Sequence, residues 1–258
     1  METKLLFNNS RGDQLVGILN KKSSKDIVIL CHGFTSDKNS AKNIEITKRL
    51  NDVSTFRFDF YAHGESDGAL ENITVSEGID DILSAINYLK KLKYKNIGLL
   101  GSSYGGLCSI MAAAKAVKTD DIQYLILVAP VSDWEDAKRK SQGEQYLIDW
   151  QNKGYAYYQK ADGNKIKLGL SLYKDFKNNI AYIIADKIKI PVLLAHGTED
   201  RSVPFQQSSK LFKLLQCDKQ FVKITGGDHR FSDPNDLEQL IKVIIDFINN
   251  QVHGIVDK

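Results

Sequence analysis

Short apolar runs alternate with helical patterns along most of this chain of 258 residues. The run at 27–31, Ile-Val-Ile-Leu-Cys, has no polar position and is typical of a parallel strand buried on both faces. From about Ser76 apolar residues recur at helical spacing, and Thr74 and Glu77 form a capping-box pattern at the start of that segment. The patterns predict strands at 4–7, 14–19, 27–31, 55–60, 96–100, 124–129, 192–195 and 220–224, and helices from about 76, at 104–117, at 205–215 and at 237–248.

Repeated alternation of strand and helix predicts an α/β fold with a mostly parallel, doubly wound sheet. The first two strands are joined by a polar turn at Asn8–Asp13, which predicts an antiparallel hairpin at the N-terminus. Ligands of such sheets bind beyond the carboxyl ends of the strands. The turns that leave these strands are therefore where catalytic residues are expected.

One long segment, Val131–Ile190, interrupts the alternation and is rich in Tyr and Lys. Sixty residues between consecutive sheet strands exceed an ordinary connection, so the segment is expected to have its own structure. We interpret 131–190 as an inserted cap and 1–130 with 191–250 as the core. Residues 251–258 are expected to form a flexible tail.

Composition and charge narrow the class of protein. An apolar content of 42% excludes a disordered chain. Lys and Arg number 35 against 32 Asp and Glu and form no basic stripe, so no nucleic-acid partner is expected. No run approaches 18 apolar residues and the N-terminus lacks a secretory apolar region, so we expect a cytoplasmic protein without membrane insertion. The oligomeric state stays open, with a homo-oligomer as one alternative.

The segment Gly101-Ser102-Ser103-Tyr104-Gly105 matches the pattern G-x-S-x-G. It follows an apolar strand and opens a helical run, which is the strand–turn–helix context of a nucleophile elbow. The turn is so tight that side chains two residues before and after the serine would clash. The motif places the nucleophile at its middle position. Ser103, and not Ser102, is therefore the predicted nucleophile.

A serine hydroxyl needs an adjacent general base, and the chain has five histidines. His32 and His196 each follow a buried strand, His63 lies in a loop, and His253 lies near the C-terminus. His229 is in the loop after the last predicted strand, where a base would be placed late in the chain. We predict His229 as the base.

The third catalytic group orients the imidazole and stabilises its charged form. Asp200 follows the strand at 192–195, one strand before the His229 loop. Glu199 and Asp228 are alternatives, but Glu199 is one residue out of place and Asp228 is too close in sequence to face the neighbouring ring. The predicted order is Ser, Asp, His.

An acyl-transfer site also needs donors for the developing oxyanion. The backbone N–H of Tyr104, directly after the nucleophile, is one candidate. The turn His32-Gly33-Phe34 after the early strand is placed to supply the N–H of Phe34. Gly33 permits close approach of the backbone to a substrate.

Five motifs follow one another along the chain: Cys31-His32-Gly33-Phe34, Asp59-Phe60-Tyr61-Ala62-His63-Gly64-Glu65-Ser66, Gly101-Ser102-Ser103-Tyr104-Gly105-Gly106, His196-Gly197-Thr198-Glu199-Asp200 and Gly227-Asp228-His229. In this order they resemble the motifs of the α/β-hydrolase serine esterases. The resemblance is greatest to the small bacterial feruloyl (cinnamoyl) esterases and the related monoacylglycerol-lipase-like hydrolases. It implies a Ser-His-Asp acyl-enzyme mechanism on small-molecule esters of short-chain or aromatic acids, without a metal or organic cofactor, and a cap that shapes the acyl pocket.

Other functions compete with this interpretation. A monoacylglycerol lipase or an acyl-thioesterase would use the same residues on a different acyl group. A serine peptidase ranks below these, since the prolyl-oligopeptidase relatives normally carry a propeller domain. A non-catalytic binding protein of the same fold ranks last, because the triad would then be expected to be damaged.

Overall fold

The computed structural model describes residues 2–116, 121–160 and 163–254. In this part of the chain eight strands form one sheet, namely β1 (Glu2–Asn8), β2 (Gln14–Asn20), β3 (Asp26–Cys31), β4 (Ser54–Phe58), β5 (Asn96–Ser102), β6 (Ile122–Val128), β9 (Val192–Gly197) and β10 (Lys219–Ile224). Their order across the sheet is β1-β2-β4-β3-β5-β6-β9-β10.

Strand directions agree with the predicted fold class. β1 pairs with β2 in antiparallel register, and β2 pairs with β4 in the same way, so the N-terminal hairpin is confirmed. All other neighbours in this sheet are parallel. The inner parallel strands β3, β5 and β9 are almost wholly buried, as expected for strands covered on both faces, whereas the edge strand β10 is partly exposed.

Helices cover both faces of the sheet. One face packs against α2 (Val75–Lys91) and α3 (Tyr104–Ala116), and the other packs against α1 (Ala41–Arg49) and α9 (Pro234–His253). A further helix, α8 (Phe205–Leu214), joins β9 to β10. Within the described ranges no helix is both long enough and apolar enough to cross a bilayer.

The segment 131–190 is inserted between β6 and β9. It contains α4 (Trp134–Gln142), α5 (Glu144–Lys153), a hairpin of β7 (Tyr155–Gln159) and β8 (Lys165–Gly169), α6 (Leu170–Phe176) and α7 (Ala181–Ile184). Its buried aromatic residues belong to the same hydrophobic cluster as the α2 and α3 face of the sheet. The insertion therefore packs directly on the core.

Several elements differ from the sequence prediction. Helix α1 was not predicted, because it is short and only three of its residues are buried. The strand predicted at 55–60 ends at Phe58. Helix α9 is longer than 237–248, since Asp233 caps its start by accepting hydrogen bonds from two backbone N–H groups. Residues 251–253 of the predicted tail are helical, while 255–258 and Val117 of the predicted helix 104–117 lie outside the described residues.

A buried ion pair joins the loop after β3 to the loop after β4. Lys38 Nζ lies 2.6 Å from Asp59 Oδ2, and Lys38 N donates to Asp59 Oδ1 at 2.7 Å. Both side chains are almost completely buried. Asp59 Oδ2 also accepts from the N–H of Glu65, and the Glu65 carboxylate lies 2.6 Å from Lys38 Nζ. One carboxylate thus holds both loops.

We expect Asp59→Asn to lower the free energy of unfolding by about 3 kcal/mol, measured by urea denaturation. The change leaves Lys38 with a buried charge, and the exposed Glu65 compensates for only part of the lost partner. Asp52→Asn is the matched control, since Asp52 is exposed and pairs with no cation in the described chain. It should change stability by less than about 0.5 kcal/mol. Equal losses in the two variants would contradict this role for Asp59.

Candidate active site

Ser103 occupies the turn between β5 and α3 with a left-handed backbone, at φ 53°. The turn is held by backbone hydrogen bonds, from Ser103 N to Val128 O at 3.0 Å and from Val131 N to Ser103 O at 3.1 Å. A Cβ atom at Gly101 would clash with the backbone of Gly105, and one at Gly105 would clash with the carbonyl of His32. These close backbone contacts leave no room for a side chain, so the motif requires glycine at both positions, as the sequence pattern predicts.

The structure brings together the three side chains predicted for the triad. Ser103 Oγ lies 3.1 Å from His229 Nε2. His229 Nδ1 lies 2.6 Å from Asp200 Oδ2. Asp200 follows β9 and His229 follows β10, so the groups meet at the carboxyl edge of the sheet. With Nδ1–H donating to the carboxylate, Nε2 is free to accept the serine proton.

Asp200 has a fully buried side chain and several hydrogen-bond donors. Its Oδ1 accepts from the N–H groups of Ser202 and Val203, each at 2.8 Å. Burial acts to raise the pKa of Asp200, but hydrogen bonds from His196 and His229 outweigh it and hold that pKa well below the usual range. The carboxylate is therefore charged when it faces the His229 ring.

A second imidazole, from His196, contacts the same carboxylate oxygen and was not predicted to do so. His196 is fully buried, and its Nε2 lies 2.9 Å from Asp200 Oδ2. Its Nδ1 lies 2.6 Å from Ser208 Oγ on α8. The spacing of four residues between His196 and Asp200 is the signal that could have indicated this contact. His196 orients Asp200 and does not reach Ser103.

The alternative acids and serine do not take part in this hydrogen-bonded chain. Asp228 Oδ1 accepts from the N–H groups of Arg230 and Ser232, so it shapes the His229 loop. Glu199 is exposed, and Ser102 is the last residue of β5 with a buried hydroxyl that has no hydrogen-bond partner in the described chain.

Two residues with unused backbone donors line the cavity together with Ser103. The N–H groups of Phe34 and Tyr104 donate to no acceptor within the residues that the structure describes. Tyr104 begins α3, where the first N–H groups have no intrahelical partner. A Cβ atom at Gly33 would lie 3.4 Å from the Ser103 Cβ, so the backbone before Phe34 closely approaches the serine.

Buried histidines position the loop that carries Phe34. His63 Nε2 accepts from the N–H of Thr35 at 3.2 Å, and His32 Nε2 accepts from Phe60 N at 3.2 Å. Burial lowers the pKa of His32 to about 4 and that of His63 to about 3, so both rings are neutral at pH 7. Their other ring nitrogens donate to backbone carbonyls. His63 thus supports the loop, a role that its sequence position did not reveal.

A cavity of about 520 Å³ opens at Ser103 and His229. Aromatic rings line one side of it. The Phe34 ring lies 5.5 Å from that of Trp134 and 5.2 Å from that of Tyr158, in both cases edge to face. Trp134 and Tyr158 belong to the 131–190 insertion, which therefore contributes to the wall of the cavity.

Two relatives show how far similarity extends along the chain. The protein YfhR of Salmonella typhimurium is 30% identical over 190 residues, which make up 69% of this chain and 55% of YfhR. The chain therefore spans about half the length of that relative. The mitochondrial palmitoyl-protein thioesterase ABHD10 of Mus musculus is 26% identical over 237 residues, or 86% of this chain and 75% of the thioesterase.

A solved structure shares the whole architecture. Est1E from Butyrivibrio proteoclasticus, solved with ferulic acid bound, superposes with a TM-score of 0.83 at 27% identity. The superposition covers 96% of this chain and 99% of Est1E. The resemblance to α/β-hydrolases is thereby confirmed.

The model of the prolyl oligopeptidase family matches residues 69–254. This range is most of the chain and includes Ser103, Asp200 and His229. The elbow, the strands β5, β6, β9 and β10 and the order of these three residues fall within it, whereas β3 and β4 precede it. The chain belongs to the prolyl oligopeptidase family and has the α/β-hydrolase fold.

Proposed function

We propose that this protein is a serine carboxylic-ester hydrolase in which Ser103 is the nucleophile, His229 the base and Asp200 the orienting acid. One observation carries the proposal, namely the two consecutive hydrogen bonds that link these side chains, of 3.1 Å and 2.6 Å. A serine so linked to an imidazole and a buried carboxylate is activated for attack on a carbonyl.

In the first step the Ser103 Oγ–H proton moves to His229 Nε2 while Oγ bonds to the ester carbonyl carbon. The imidazolium that forms is stabilised by the charged Asp200. The carbonyl oxygen becomes an oxyanion, for which the N–H groups of Phe34 and Tyr104 are the proposed donors. Collapse of this intermediate breaks the ester C–O bond, and His229 gives its proton to the leaving alcohol.

In the second step a water molecule attacks the acyl-enzyme. His229 accepts one water proton as the new C–O bond forms, and the same two N–H groups bind the second oxyanion. The bond to Ser103 Oγ then breaks, and the proton returns to that oxygen. The acid is released and the enzyme is regenerated, so this scheme requires neither a metal nor an organic cofactor.

The proposed substrates are small-molecule esters of short-chain or aromatic acids, such as cinnamoyl-type esters. The edge-to-face rings of Phe34, Trp134 and Tyr158 form an apolar wall on which an aromatic acyl group can pack. The ferulic acid bound by Est1E supports the same substrate class. We propose that the 131–190 insertion acts as a cap that sets this preference.

An acyl-thioesterase activity is the second candidate. It is favoured by the similarity to ABHD10, named as a palmitoyl-protein thioesterase. The same serine, base and oxyanion donors would cleave a thioester, whose leaving thiolate needs less protonation. Lipase and peptidase activities are further alternatives, which a series of ester, thioester and anilide substrates distinguishes.

We place the protein in the cytoplasm as a proposal from its sequence.

Ser103→Ala should lower kcat for ester hydrolysis by at least about 10⁴-fold, because no other group can form the acyl-enzyme. The measurement uses p-nitrophenyl esters from acetyl to decanoyl, a hydroxycinnamate ester, an acyl-thioester and a peptide anilide. Greatest wild-type activity on the short or cinnamoyl esters supports the proposed class, whereas preference for decanoyl or thioester supports the lipid or thioesterase alternative. Undiminished activity in Ser103→Ala would refute the nucleophile assignment.

Asp200→Asn should lower kcat by about 10³–10⁴-fold, because the amide no longer stabilises the imidazolium or fixes its tautomer. Asp228→Asn is the matched control, a carboxylate in the loop that carries His229. Since Asp228 is exposed and accepts hydrogen bonds from N–H groups of its own loop, we expect less than about tenfold loss. Steady-state kinetics on one ester compares the two. A larger loss in Asp228→Asn would reverse the assignment of the acid.

His63→Leu should lower kcat by about tenfold or more with little change in KM, because Thr35 N loses its acceptor and the Phe34 N–H moves from its position. His63→Gln, whose amide oxygen can accept the same hydrogen bond, should restore part of the loss. Equal kcat for wild type and His63→Leu in folded protein would remove His63 from the positioning role.

A further inference from the structure

The charged side chains that line the cavity at Ser103 are all basic. Lys42, Lys138 and Arg230 line it, and no Asp or Glu of the described residues does so. The chain as a whole is nearly balanced, with 35 basic and 32 acidic residues. The positive charge of the cavity is therefore a local feature of the site.

These basic side chains have no carboxylate partner within the described ranges. The Lys42 ammonium instead lies 5.9 Å from the Phe231 ring centre, and the Lys138 ammonium lies 4.9 Å from that of Tyr158. Burial without a partner lowers the pKa of each lysine to about 8. In such surroundings an anionic neighbour would stabilise the charged form of each lysine.

Lys42 lies in the first turn of α1, beside other unused donors. The N–H groups of Ala41, Lys42 and Asn43 donate to no acceptor in the described chain, the first turn has no acidic residue, and Ser40 makes no side-chain cap. Asn43 is only 1% exposed and its Nδ2 has no hydrogen-bond partner among the described residues. Ser40 to Asn43 all line the cavity.

The Lys42 ammonium, the N-terminus of α1 and the buried Asn43 amide therefore lie together in one stretch of the cavity lining. Each of these groups binds an anion favourably, and together they can bind both oxygens of a carboxylate. A neutral ester would leave the Asn43 amide and the Lys42 charge without partners. The chemistry of this wall is complementary to a negatively charged ligand group.

The position of the basic side chains relative to His229 indicates which part of the ester is charged. His229 Nε2 must protonate the leaving alcohol, so the alcohol portion lies beside the His229 loop. Arg230 follows His229 directly, and Lys42 contacts Phe231 of the same loop. Lys138 instead lies over the ring of Tyr158, which belongs to the insertion.

Resting on the esterase function proposed above, we propose that the substrate carries an anionic group, such as a carboxylate, on its alcohol portion, bound by Lys42, Asn43 and the N-terminus of α1. The aromatic wall then receives the acyl portion. The site would therefore select an ester whose alcohol portion also carries an acidic group.

The test compares 4-acetoxybenzoate with 4-acetoxybenzamide, which differ in charge but hardly in shape. We expect wild-type kcat/KM to favour the carboxylate by at least about tenfold, and Lys42→Met to reduce this ratio to near one. Lys42→Arg should retain most of the ratio. Lys48→Met is the matched control, since Lys48 is on the same helix but 68% exposed and should keep the wild-type ratio.

The outcomes separate this inference from the esterase proposal. A wild-type ratio near one, or a ratio unchanged in folded Lys42→Met, would overturn the anion site while Ser103-dependent turnover continued. A preference for monomethyl terephthalate over methyl 4-carbamoylbenzoate that is lost in Lys138→Met would place the anion on the acyl side and also overturn it. Failure of wild type to hydrolyse any of these esters, together with no labelling of Ser103 by a small fluorophosphonate, would overturn the esterase function itself.

Discussion

The left-handed backbone of Ser103 is the constraint on which the active site depends. A non-glycine residue in this conformation costs about 1–3 kcal/mol and persists only where its surroundings determine it. Here β5 lies between β3 and β6, and hydrogen bonds to Val128 and from Val131 fix the turn. Close packing of Gly105 against the end of β3 then brings the Phe34 loop next to the serine.

Burial determines which histidine can act as a base. His32, His63 and His196 are buried, and both ring nitrogens of each are engaged in hydrogen bonds that stabilise the neutral ring or orient Asp200. The His229 side chain is 22% exposed, and among the described residues its Nε2 has a hydrogen-bond contact with Ser103 alone. A ring that must accept and return a proton needs this partial access, since the imidazolium would be too costly in a fully buried position.

The parts of the site that sequence could predict are those encoded locally. The elbow glycines, Asp200 and His229 each occupy a fixed place after a strand, so strand order alone brings them to one edge. The bond from His196 to Asp200 needs the turn after β9, and the support of Thr35 by His63 joins two separate loops. Helix α1 was missed because a short polar helix has little apolar periodicity, and with it the grouping of Lys42, Lys138 and Arg230 was beyond prediction.

The proposed anion site and one proposed oxyanion donor, the N–H of Phe34, lie on one continuous segment, from Phe34 to Asn43, while the other donor, Tyr104, begins α3. The buried Lys38–Asp59 pair and the hydrogen bond to His63 hold that segment in place, so its donors are oriented before substrate binds. They act at different stages. Lys42 would contact a charge that is present in both the ground state and the transition state, which lowers KM. The N–H groups of Phe34 and Tyr104 would meet a charge that develops only during attack, which raises kcat.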